Sequence, residues 1–266
     1  MALTAVCAKI NAPIFSVKHP EAFQIGAALP VPQPSALVGA LAYCLGVHKG
    51  IGVRALEEAR RAVVMARAKL MKGATTITPI ILRRFRILDK GLEAKEKGKA
   101  PAFDIACNAL RSGDFEAFRK TIEVDLMDAL YREYISNASI KCAWILREPF
   151  DSKLLYLLQR LGDTESLVTV EEAWSATLRS TKVNRVSTDY PLASTGNVSE
   201  VRGDYTMLRM CDENRRPTMY YVPCKREVLR TPDDVKYFVY APTKIDVEFK
   251  QAIEVFVIDE EETIGG

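Results

Sequence analysis

The side chains able to do chemistry in this sequence are few, and most are cations. There are two histidines, His19 and His48. His19 follows Lys18 in a proline-rich stretch, and Tyr43 lies beyond it. Cleaving RNA without a metal requires a base for the 2′-hydroxyl and a cation for the developing charge. Lys18, His19 and Tyr43 are residues of the right types, although a lone loop histidine serves equally well as a contact. Arg83, Arg84 and Arg86 fall in TTITPIILRRFRIL (75–88), where alternation predicts one long strand. On such a strand Arg84 and Arg86 stand about 7 Å apart on one face, a spacing that suits neighbouring phosphates. Two solvent-facing arginines on an edge strand would read the same way. Lys95, Lys97 and Lys99 follow in DKGLEAKEKGKA (89–100), a polar, glycine-punctuated stretch expected to be a mobile excursion.

Motifs for other chemistries are missing. The sequence has no GxxxxGK[ST], no GxGxxG after a strand, no HExxH and no GxSxG. Carboxylate pairs such as Glu57/Glu58 and Asp233/Asp234 are adjacent and face different ways, so they make poor acid–base pairs. The six cysteines (Cys7, Cys44, Cys107, Cys142, Cys211, Cys224) form no CxxC pair, and with two histidines they predict neither a zinc site nor any other cofactor. Cys211 and Cys224 flank an expected hairpin and would pair only in a hyperthermophile source.

Charge is distributed unevenly. The formal net charge is +3, but residues 1–100 hold 16 Lys/Arg against 6 Asp/Glu, and residues 101–266 hold 21 against 28. A basic half joined to an acidic half points to a polyanion on one side and protein on the other. The uncharged stretch Ala22–Val47 is interrupted by Pro30, Pro32 and Pro34, so it reads as a buried helix with an extended lead-in rather than a membrane span. MALTAVCAKINAP lacks the features of a signal peptide, and a cytoplasmic location without membrane contact is expected.

The elements that must position these residues follow from periodicity. LTAVCAKI (3–10) reads as a strand. Ser35 is expected to cap an apolar, central helix (SALVGALAYCL) that Gly46 ends in the left-handed conformation. Arg54–Met71 reads as a second helix, with Leu56, Ala59, Val63, Ala66 and Leu70 on one face and Arg60, Arg61, Arg67 and Lys69 on solvated ones. Helical spacing over Asp114–Tyr134, a strand over Ser139–Arg147, a short helix over Asp151–Leu161 ended by Gly162, and a strand at Leu167–Val170 complete the first part. The order strand, helix, strand, strand, helix, strand predicts an α+β fold: a ferredoxin-like (RRM-like) βαββαβ domain over 1–172, with a basic insertion around 89–113. Residues 173–266 hold hairpin-like pieces, YTMLRM and TMYYVP around DENRRP, then KYFVYAP and IEVFVIDEEE. They predict a smaller β-rich C-terminal part whose acidic tail, from Asp259, frays.

FSVKHPEAF followed by LPVPQPSALVGALAYCLG resembles the N-terminal signature of the CRISPR-associated protein five family of the RAMP superfamily, in which a YPVPPPS-like run leads into a glycine-containing helix. REYI (132–135), SIKCAWIL and LLYLLQRLGDTESLVTV (154–170) resemble its later segments, and the lysine- and glutamate-rich style is most similar to the archaeal type I-A branch. The likeness covers most of 1–172 in element order, with Gln33 where the family favours proline and Leu29 where it favours an aromatic. It implies a non-catalytic subunit of the type I interference complex, Cascade, that grips the 5′ handle of the crRNA and packs against the backbone subunit and the large subunit in antiviral defence. It also implies a thumb-like element, for which 89–113 is the candidate by position. The expected RNA contacts are Lys18, His19, Ser35, Arg83, Arg84, Arg86, Lys95, Lys97, Lys99 and Arg132. Ser35 would serve equally as a cap, Gly39 as a packing position and Tyr134 as core. Two other readings remain open: a metal-independent endoribonuclease that processes precursor crRNA, and a protein scaffold without RNA affinity.

Overall fold

The computed structural model describes residues 3–18, 20, 25–71, 75–163, 166–234 and 236–265, with the side chains of residues 25, 26, 82–84, 88, 89 and 130 outside the description. Along the chain run β1 (Thr4–Phe15), β2 (Ile25–Gly26), α1 (Pro34–Lys49), α2 (Arg54–Ala62), β3 (Val63–Leu70), β4 (Thr75–Phe85), α3 (Ile87–Glu96), α4 (Ala102–Arg111) and α5 (Phe115–Lys120). A π-helical turn (Thr121–Leu126) leads into the long β5 (Met127–Leu146), and a 3-10 turn (Ser152–Leu157) precedes β6 (Thr169–Ala176). The remainder is strand: β7 (Leu178–Thr188), β8 (Leu192–Ala193), β9 (Val198–Arg202), β10 (Thr206–Cys211), β11 (Pro217–Val222), β12 (Cys224–Arg230), β13 (Lys236–Pro242), β14 (Ile245–Ile258) and β15 (Glu262–Gly265). Residues 1–22, 27–78 and 133–266 make one compact unit, and 23–26 with 79–132 make a second.

In the first unit β1 lies antiparallel between β6 and the C-terminal half of β5, and β3 lies antiparallel on the other side of β5. The strand order is therefore β6–β1–β5–β3, with α1 and α2 connecting β1 to β3. Alternation sorts the side chains of these strands onto two faces. Val6, Ala8, Ile10, Ala66, Ala68, Leu70, Ile140, Cys142 and Trp144 join one buried core together with Leu37, Val38, Leu41 and Leu45 of α1. Trp144 is fully buried and donates its indole N–H to the Leu37 carbonyl at 3.0 Å. Burying each such side chain contributes about 1.5–3 kcal/mol. Cys7, Met65, Ala143 and Ile145 face the other way and pack with Tyr190, Phe256, Ile258 and Ile264.

The central helix is present but one turn longer than the sequence predicts. Gly46 lies inside it, where an added Cβ would stand 3.4 Å from that of Ala55, so Gly46 lets α2 approach. The left-handed cap is Gly50, at φ 66. Ser35 is not the cap: Gln33 occupies that position, with Pro34 and Ser35 in the first turn.

The second helix differs more. It ends at Ala62, and Val63–Leu70 is a strand paired with β5. Two β-branched valines open it, and its backbone pairs with β5 from Val63 to Leu70. Arg67 and Lys69 consequently leave the solvated face predicted for them and are 4% and 8% exposed. Arg67 pairs with Glu213 at 2.5 Å, and Glu213 Oε1 also accepts from the Ala66 N–H.

Three further expectations are corrected. Asp114–Tyr134 is not one helix, because α5 and the π turn give way to β5 at Met127. The helix after Asp151 is a single 3-10 turn ending at Leu157, with the Asp151 carboxylate accepting from the Lys153 N–H. The acidic tail does not fray, since β15 pairs with β14 at Val255–Ile258. The hairpin around DENRRP forms as β10–β11, and Cys211 and Cys224 are both free thiols.

In the second unit β4 stops at Phe85, so Arg86 stands at the start of α3 rather than on the strand. The 89–113 stretch is largely helical, comprising most of α3 and all of α4, with Gly98 at φ 65 between them. Strand β2 pairs parallel with β5 at Tyr131 and Arg132.

Candidate nucleic-acid interface

Lys18 is exposed at an isolated antiparallel bridge with Ala28. Buried neighbours hold this loop on both sides. The Leu29 N–H donates to the Val17 carbonyl at 2.9 Å, the Ala28 N–H donates to Glu133 Oε2 at 3.3 Å, and Leu29 and Val31 sit in the core. Ser16 is fixed to Ser166 by two hydrogen bonds, its N–H to Oγ at 2.9 Å and Ser166 Oγ–H to its carbonyl at 3.0 Å. His19 lies outside the described residues, and Tyr43 is exposed on α1.

Ser35 is half-buried in the first turn of α1. Gln33 makes no cap bond with its side chain; its carboxamide oxygen accepts from the Cys211 N–H at 2.9 Å, tying the β10 strand to the start of α1. A proline at this position has no carboxamide to do so.

The second unit carries the remaining predicted cations. Arg83 and Arg84 have their backbone in β4, with side chains outside the description. Arg86 donates to Asp128 at 2.7 Å and lies 4.0 Å from Glu93, while its N–H bonds the Leu126 carbonyl. Those contacts order the start of α3. Lys95, Lys97 and Lys99 are exposed where α3 ends. Arg132 is half-buried in β5 opposite Gly26. Within this unit the structure thus brings Arg86 to carboxylates and leaves the three lysines in solvent.

One cationic arrangement among the described residues was missed in the sequence. Lys9 pairs in register with Lys141, and Lys141 with Lys69, so three lysines form one row across β1, β5 and β3 on the sheet face away from α1. Lys9 pairs with Glu171 at 2.7 Å; Lys69 contacts Asp189 at 2.7 Å and Glu262 at 2.8 Å; Lys141 contacts Glu262 at 2.8 Å. The Lys69 ammonium lies 4.8 Å from the Tyr190 ring centre and that of Lys141 4.9 Å from the Trp174 ring. Burial alone would raise the Glu262 pKa, but hydrogen bonds from Lys141, Lys69 and the Tyr190 hydroxyl hold it below the ordinary carboxylate value. Burial beside Glu262 pushes the Tyr190 phenol upward. The alternation A-R-A-K-L at 66–70 was the available signal for a strand, but the row itself requires the register.

Among the described residues, no group of three His, Cys, Asp or Glu side chains is placed to hold a metal ion, and no helix is long and apolar enough to cross a membrane.

The fold is one found in CRISPR proteins. The chain superposes on the crystal structure of a CRISPR protein from Archaeoglobus fulgidus with a TM-score of 0.53, covering 99% of this chain and 98% of that one at 17% identity. Sequence comparison narrows the class. The chain is 29% identical over 223 residues to a protein named CRISPR-associated protein Cas5 from Thermoproteus tenax, spanning 82% of this chain and 84% of that protein. It is 28% identical over 180 residues to a protein of the same name from Methanocaldococcus jannaschii, spanning 62% and 61%. No family model matches the chain. The chain thus resembles the CRISPR-associated protein five family in its archaeal representatives, as the proline–serine run implied.

Proposed function

We propose that this chain is a non-catalytic, crRNA-binding subunit of a type I, I-A-like CRISPR interference complex (Cascade), holding the 5′ handle and contacting the backbone and large subunits. The observation that carries the reading is the similarity, over 82% of the chain, to a protein named Cas5. The strand order β6–β1–β5–β3 supports a ferredoxin-like domain, with α1 and α2 as its first crossover and the 3-10 turn as a reduced second helix. In this reading β7 onward forms the smaller β-rich part, and the helical 89–113 segment takes the position of the thumb.

Lys18 supports handle contact, because it is exposed next to Val17, which the Leu29 N–H fixes by a hydrogen bond to its carbonyl. Lys95, Lys97 and Lys99 supply backbone-directed charge. Arg86, held by Asp128, shapes the start of α3 instead of gripping phosphate.

The test is a crosslinking gel: end-labelled repeat RNA and a scrambled RNA are irradiated with the purified full chain in EDTA. A full-length adduct preferring the handle RNA is expected, with an affinity that falls steeply with salt. Replacing Lys95, Lys97 and Lys99 by Ser together should reduce the salt slope by about three. Discrete shorter products would instead establish metal-independent cleavage. No adduct with either RNA, alone or after reconstitution with partner subunits, would leave a scaffold.

A further inference from the structure

The lysine row borders a cleft of about 650 Å3, all of it within the first unit, lined by Lys9, Lys69, Lys141 and Lys244 together with Ser139, Asp189 and Glu262. Four ammonium groups bring about twelve N–H donors. The carboxylates of Glu171, Asp189 and Glu262 take four of them. Lys244 makes no ion pair among the described residues. Lys9 is the most exposed of the row at 38%, against 10% for Lys69 and 13% for Lys141, and its one carboxylate partner, Glu171, stands outside the cleft lining.

Solvent-starved lysines are costly unless their donors are satisfied. Here Glu262 serves Lys69 and Lys141 at once, and Asp189 takes a second donor of Lys69. The donors left to a ligand are therefore those of Lys244 and the two of Lys9 that Glu171 does not take, with the Ser139 hydroxyl beside the row and the spare donors of Lys141. A group with several acceptor oxygens on one centre matches this set better than a further carboxylate would, because it reaches several N–H donors from one position.

The geometry points to a second anion site, a cleft that takes the phosphate group of a nucleotide or of a phosphodiester. It lies on the sheet face away from α1 and uses none of the residues proposed for the crRNA handle, so it stands or falls independently of that assignment. Asp189 and Glu262 line the same cleft and repel an anion, which keeps the binding weak and dependent on salt.

Inorganic phosphate, AMP and a ten-nucleotide RNA are titrated separately into the full chain and followed by tryptophan emission and calorimetry. The chain has two tryptophans: Trp144 is fully buried, whereas Trp174 lies beneath the Lys141 ammonium and reports on the row. Saturable binding of phosphate and AMP is expected at about millimolar concentration, weakened about tenfold by Lys244→Ala and by Lys9→Ala. Both variants should keep the parent melting temperature. If Lys244→Ala weakens phosphate and AMP but not the RNA, the ligand is a free nucleotide; if it weakens all three, the phosphate belongs to the RNA strand. No saturable signal with phosphate or AMP, or binding that both variants leave unchanged, overturns the site.

Discussion

The two faces of the sheet built from β1, β3 and β5 are closed differently: the α1 face by apolar packing, the reverse face by a smaller apolar cluster with a row of ion pairs beside it. Toward α1, Ile10, Ile140 and Trp144 meet Leu37 and Leu41, and the only polar group among them, the Trp144 indole N–H, finds a carbonyl on the helix. On the reverse face, Lys9, Lys141 and Lys69 lie in one row and meet carboxylates from β6, the β7–β8 turn and β15. The apolar face is non-directional, so neighbours of about the right size suffice and each residue acts largely alone. The ion pairs are directional and coupled: one carboxylate, Glu262, serves two ammonium groups, and its removal strands Lys141 and leaves Lys69 to Asp189 alone. Both faces therefore gain from apolar burial, and the ion pairs of the reverse face add a constraint on which strand may lie on it.

The comparison can be broken most severely on the apolar side. Leu41→Ala, fully buried beneath the sheet, should cost about 3 kcal/mol through lost transfer energy and a cavity, measured by urea unfolding. On the ionic side, Glu262→Ala should cost about 2–3 kcal/mol, somewhat less than a fully buried pair because its side chain is 20% exposed. Adding Lys69→Met and Lys141→Met to that variant should recover most of the loss, while adding methionines to Leu41→Ala would not; double-mutant cycles read the difference.

Acid titration sharpens the contrast further. The folded pKa of Glu262 is depressed, so its stabilisation is complete above the unfolded carboxylate value of about 4.3 and is lost as pH falls through the lower folded value. Thermal melts between pH 7 and pH 2 should show an acid limb that Glu262→Gln flattens and Leu41→Ala leaves in place. The smallest effect is expected at the helix start. Gln33→Pro removes the acceptor of the Cys211 N–H and should cost about 1 kcal/mol, read by the same urea unfolding.

The same contrast explains what the sequence could reveal. Helix α1, strand β1 and the β10–β11 hairpin are local patterns, and periodicity and turn residues located each, although α1 and β1 run further than expected, to Lys49 and Phe15. Strand β3 was hidden because Leu56, Ala59, Val63, Ala66 and Leu70 satisfy a helical period; only pairing with β5 decides against it. Residues 89–100 looked like a mobile excursion because Gly91 and Gly98 punctuate them, yet Leu, Glu, Ala and Lys are strong helix formers and prevail as far as Glu96. At the candidate interface the exposed cations Lys18, Lys95, Lys97 and Lys99 were legible from composition. The ion pairing of Arg86 with Asp128 and the lysine row were not, because each depends on residues brought together from distant parts of the chain.

The separation of Glu262 from Lys69, 193 positions along the chain, has a consequence for biosynthesis. At roughly 5–20 residues per second, Lys69 waits on the order of ten to forty seconds for that carboxylate to be made. During this interval Lys9 and Lys69 can already meet Glu171 and Asp189, whereas Lys141 has no carboxylate partner among the described residues until Glu262 is made. Closure of β15 over the row is thus among the last contacts the chain can make as it is synthesised.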